Sequence, residues 1–129
     1  MLTKILSFAS VVEVGTGLAL MVDPRLVAEL LLGGDLPGVG IPVARCFGIS
    51  LFALGLACWP GELSARSDSP VFRAMLIYNA LIALFLIYLF TVGHLGGVLL
   101  LPGVALHAVV AMLLLWAWRT ERPIKAVDQ

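Results

Sequence analysis

Charge is scarce in this chain. Asp, Glu, Lys and Arg make up 12% of its 129 residues, about half the share found in an ordinary soluble domain. The eight basic and eight acidic residues cancel, which removes both the basic footprint of a nucleic-acid-binding protein and a charged recruiting tail. Cysteine is almost missing as well. Cys46 and Cys58 are the two present; they form no C-x-x-C motif, and a helix running through both would hold them at opposite ends, too far apart to bridge. They read as packing residues. The two histidines, His94 and His107, have neither metal-ligand spacing nor a haem-attachment motif, so no metal and no intrinsic cofactor is expected. Glycine-rich phosphate loops, nucleophile elbows and paired catalytic carboxylates are absent too. These shortages argue against a water-soluble enzyme, a redox carrier and a nucleic-acid partner.

What fills the chain instead is apolar, at 61% hydrophobic residues and a mean hydropathy of +1.09. The length suits one domain. Four apolar stretches, near residues 5–22, 41–59, 71–92 and 95–118, approach the roughly 20 residues that cross a bilayer. In lipid each must be helical, because the backbone finds no water to bond. The expected fold is an all-α membrane protein, a four-transmembrane-helix bundle with sequence neighbours packed antiparallel. Lys4 before the first span resembles a signal-peptide start, but Glu13 interrupts the segment and no A-x-A site follows, so it reads as a retained helix.

The connections carry their own punctuation. Asp23 as N-cap, Pro24 at the first position and Gly33 after the end predict a short helix near 25–32. Too short to span, with Arg25 and Glu29 on one face and leucines beside them, it is expected to lie along the interface between the first two spans. Residues 60–70 read as a solvated loop and 119–129 as a polar tail. If the spans alternate, Lys4, Arg66, Arg73, Arg119, Arg122 and Lys125 share one side and Arg25 lies on the other. The positive-inside rule then predicts a bacterial-type inner (plasma) membrane protein with both termini, the loop and the tail cytoplasmic. Trp59, Trp116 and Trp118 fall at the same predicted interface, where amphipathic rings collect.

Each predicted span also carries one strongly polar residue: Glu13, Arg45, Asn79 and His107. Such groups are costly in lipid and seldom face acyl chains. A rise of 1.5 Å per residue puts Glu13, Asn79 and His107 near one depth. Arg45 lies about one helical turn inside its end of the second span, from where its stem reaches inward or snorkels out. Gly17, Gly48, Ala83, Gly103 and Ala111 lie one turn from these residues, and small residues let membrane helices approach closely. The expectation is one polar core of Glu13, Arg45, Asn79 and His107, with Ser10 and Tyr78 flanking it. Within it Glu13 and Arg45 are expected to pair, the guanidinium holding the carboxylate charged. His107 supplies an acid–base group and Asn79 both donates and accepts. Pro102 is expected to kink the fourth helix just above His107. The competing reading is a network that only fixes helix register.

The segments Glu13-Val14-Gly15-Thr16-Gly17, Ala44-Arg45-Cys46-Phe47-Gly48, Tyr78-Asn79-Ala80-Leu81 and Leu101-Pro102-Gly103-Val104-Ala105-Leu106-His107 together resemble the small DoxX-like four-helix membrane proteins. That family has a buried acid in its first helix, an interfacial stretch after it and polar residues further on. The resemblance covers most of the chain and implies an accessory role in a membrane redox complex, with a quinone- or lipid-like ligand near the polar core. Val12-Glu13-Val14-Gly15-Thr16 also looks like the first-helix segment of small multidrug-resistance transporters, whose buried Glu exchanges protons for cationic substrates in a dimer. The aromatic and glycine pattern of that family's third helix is missing from residues 76–86.

Three functions are therefore expected to compete. One is an accessory subunit that binds a quinone or lipid, such a pocket being mostly apolar with a few convergent polar groups. The second is a proton-coupled transporter working through Glu13. The third is a scaffold. Acid–base catalysis on a lipophilic substrate also stays open. Expected partners are membrane lipids, a larger membrane complex or a second copy of the chain.

Overall fold

The computed structural model describes residues 1–61 and 69–120. Five α-helices follow one another over these residues: α1 (Leu2–Val22), α2 (Pro24–Leu32), α3 (Gly40–Ala57), α4 (Pro70–Thr91) and α5 (Leu100–Thr120). All but α2 are long and apolar enough to cross a membrane. The chain is a multi-pass membrane protein built as a four-helix bundle. Most of the 60–70 loop and the 119–129 tail lies outside the described residues.

α2 ends where its sequence punctuation says it should. The Leu26 N–H donates to Asp23 Oδ1 at 3.1 Å, and Pro24 occupies the first turn. Gly33 closes the helix in the left-handed region at φ 72°, its N–H donating to the Glu29 carbonyl at 2.9 Å. The carbonyls left over at this end find partners in the segment before α5. The N–H groups of Gly96, Gly97 and Leu99 donate to Leu32, Leu31 and Leu30 at 3.1, 3.2 and 2.8 Å.

That capping corrects the expected start of the last span. Residues 95–99 are apolar enough to extend a hydropathy window, but the donors of Gly96, Gly97 and Leu99 are committed to α2, and α5 begins at Leu100. Pro102 consequently sits in the first turn of α5, where a helix needs no internal donor. The kink expected above His107 therefore loses its cause. At the other end of the bundle, Ser69 caps α4 by accepting from the Phe72 N–H at 3.1 Å, with Pro70 at the first position.

α1 is the central helix. One third of its span (33%) is buried against 17% for α3, because α1 touches α3 on one flank and both α4 and α5 on the other. Small residues set the α1–α3 seam. A Cβ on Gly17 would lie 2.6 Å from the Gly48 carbonyl oxygen, and one on Gly55 would lie 2.8 Å from the Ser10 carbonyl oxygen. Gly17 meets Gly48 and Ser10 meets Gly55, so the helices run antiparallel with their backbones in contact. Below the polar residues, toward the start of α1, Leu2, Leu6, Phe72, Met75, Val110 and Leu114 interlock as the apolar core. The outward faces stay apolar too, with Phe8, Ile49, Leu81, Leu84 and Met112 all exposed, as a lipid-embedded surface requires.

Candidate functional site

The polar groups gather where α1 meets α4 and α5. Glu13 lies near the middle of α1 and is 1% exposed; Asn79 of α4 and Ser10 of α1 are 0% exposed. Tyr78 and His107 are half-buried. Tyr78 lies close enough to Glu13 for its hydroxyl to interact with the carboxyl group. Tyr78 also meets the His107 ring edge to face, with centroids 5.9 Å apart and planes at 81°, a favoured geometry for two rings with positive edges and negative faces. His107 Nδ1 lies 2.8 Å from Asn79 Oδ1. An acid, a phenol, an imidazole and an amide thus follow one another across three helices.

The hydrogen-bond inventory of Asn79 decides the state of His107. The amide Nδ2 donates to the Met75 carbonyl one turn back at 2.9 Å, which leaves Oδ1, an acceptor, facing the ring. Nδ1 must then carry the hydrogen, and in the neutral imidazole Nε2 is left as a bare acceptor. The Met75 carbonyl comes from the apolar core, so the core sets the amide and the amide sets the imidazole.

Two buried polar atoms of α1 lack a partner. Glu13 Oε1 and Ser10 Oγ are fully buried with no hydrogen-bonding group in reach among the described residues. Buried polar atoms are nearly always satisfied. In lipid an orphan costs at least as much as in a soluble core, since no water replaces the missing partner. Glu13 and Asn79 are the enclosed members of the cluster, and Tyr78 and His107 the half-buried ones.

Arg45 does not join them. It is exposed on α3, and no ion pair links it to Glu13 among the described residues. The reason is the seam itself. With backbones touching at Gly17 and Gly48, no space between α1 and α3 admits a guanidinium. Arg45, one turn before Gly48, is left exposed at the edge of that contact. The small residues do draw the helices together as expected, and by doing so they shut Arg45 out. Tyr78 takes the place expected of Arg45 beside Glu13. Its position immediately before Asn79 was the available signal. It is also one turn past Met75 on α4, in a stretch where Phe72, Met75, Asn79, Ala83 and Leu86 mark the buried stripe.

Of the other polar groups, His94 is exposed at the α4–α5 connection with φ 49°, and Cys46 is exposed while Cys58 is buried in the core. No group of three or more His, Cys, Asp or Glu side chains comes together among the described residues. Comparison with protein-family models, curated proteins and solved structures finds no match to this chain.

Proposed function

We propose that this chain is a membrane subunit that binds the polar head of a lipid-soluble ligand at Tyr78 and His107, backed by Glu13 and Asn79. The observation that carries the reading is a buried acid with an unmet oxygen, sitting behind a phenol and an oriented imidazole in an otherwise apolar bundle. Intramembrane ionisable residues are functional by default. The side chains left accessible set the chemistry. His107 Nε2 is an acceptor, so a ligand with a hydrogen-bond donor suits it. A quinol or another hydroxylated isoprenoid lipid fits that demand better than a ligand with carbonyls alone. Electron transfer would belong to a partner complex in a bacterial-type inner membrane, as the resemblance to the DoxX-like proteins implies. The basic residues outside the spans favour cytoplasmic termini.

Lipid extraction and mass spectrometry of protein purified in mild detergent test this reading. A co-purifying quinone-family or hydroxylated lipid is expected, and added decylubiquinol should raise the unfolding midpoint of the wild type but not of His107→Ala. Empty extracts together with no quinol-dependent stabilisation would overturn it.

One observation favours a second reading, a proton-coupled transporter. Glu13 has no cation beside it, since Arg45 is exposed on α3, and a carboxyl group held by a phenol can take and release a proton. Flux into proteoliposomes driven by a pH gradient should then vanish in Glu13→Gln; unchanged flux excludes the role.

A further inference from the structure

Away from the polar cluster, α1 and α5 leave a groove of about 520 Å³ on the flank of the bundle. Its walls include Phe8 on one side and Ala105, Val109 and Leu113 on the other, with Leu106 and Val110 as floor. The volume falls within the range of small-molecule sites. The groove opens sideways along the outward face of two membrane-spanning helices, so what enters it comes from the bilayer. Lys4 is the one charged residue of the lining, and it stands at the end of the groove nearest the start of α1. It is exposed and makes no ion pair among the described residues. Lys4 is within the first turn of a spanning helix, the depth at which an ammonium on a flexible stem reaches lipid phosphates.

We infer that this groove seats one acyl chain of an anionic phospholipid, with Lys4 holding its phosphate. The apolar walls set the chain's path and the single cation selects the head. A charged partner is favoured because a lone ammonium in an apolar lining has no acidic group to answer it among the described residues. The site uses none of Glu13, Tyr78, Asn79 or His107, so it stands apart from the function proposed above.

Native mass spectrometry with phosphatidylglycerol and phosphatidylcholine of equal chain length provides the test. One phosphatidylglycerol is expected to survive delipidation, with about a fivefold preference over phosphatidylcholine from a single lysine at the membrane surface. Lys4→Gln should bind both equally. Val109→Trp, at an exposed position that does not disturb the core, should lose both adducts. Glu13→Gln should keep the wild-type pattern, which separates this site from the polar cluster. Equal retention of the two lipids by the wild type, or wild-type retention by Val109→Trp, overturns the assignment.

Discussion

α1 presents two unlike faces. Toward α3 it shows small residues, and the two backbones touch through Gly17, Gly48 and Gly55. Toward α4 and α5 it shows Glu13, which meets Tyr78 with His107 and Asn79 behind it. The first face is closed, backbone against backbone. The second keeps a buried carboxyl oxygen without a partner and two half-buried side chains, Tyr78 and His107. One helix thus serves as a spine on one flank and carries a buried polar cluster on the other. The same closeness that makes the spine removes Arg45 from the site, which leaves Glu13 to be governed by a neutral phenol rather than by a cation.

Breaking the spine should do the most harm. Gly17→Leu drives a side chain into the α3 backbone, and overpacking against backbone should cost roughly 3 kcal/mol. Circular dichroism during denaturant unfolding reads this as an early transition. If Gly17→Leu instead unfolds like the wild type, the α1–α3 contact is not as close as described. Next in size is Gly97→Ala at the cap of α2. Its methyl would meet the Leu30 carbonyl oxygen, and a loss of about 2 kcal/mol is expected, visible as faster hydrogen exchange at the N–H groups of Gly96 and Leu99.

The polar face should respond less in stability and more in function. Asn79→Leu leaves the His107 Nδ1–H without its acceptor, at a cost of about 1–3 kcal/mol. Its sharper signature is loss of the fixed tautomer in ¹⁵N spectra of labelled histidine. The wild type should show Nδ1 protonated and Nε2 bare; the reverse assignment would contradict the Asn79 argument. Smallest of all, Arg45→Gln should change bundle stability by no more than about 0.5 kcal/mol, as for a surface position. A loss several times larger would mean that Arg45 is tied into the fold after all.

The legible parts of the fold were those with local chemistry. Asp23, Pro24 and Gly33 spelled out α2 because capping and left-handed glycine act within a few residues. The spans were legible from length and hydropathy, and Glu13, Asn79 and His107 stood out because a polar side chain in lipid seeks protein. The facing of α3 was not legible. A lipid-exposed helix is apolar all round, so hydrophobic periodicity does not say which side is buried, and only Gly48 and Gly55 carry that information. Reading them as Arg45's neighbours rather than as the contact itself put the guanidinium on the wrong face. The start of α5 was hidden for a related reason. Leu95, Val98 and Leu99 look like span residues, and nothing local reveals that the donors of Gly96, Gly97 and Leu99 are used by α2.

Photo-crosslinking tests the central claim most directly. A quinol carrying a photoreactive group on its ring is incubated with the purified protein, irradiated, and its adducts are mapped to single residues by fragmentation mass spectrometry. The account predicts adducts confined to Tyr78, His107 and their immediate contacts, removed by excess unlabelled quinol and by His107→Ala. Labelling spread over outward residues such as Leu81, Leu84 and Met112, and indifferent to both, would contradict it.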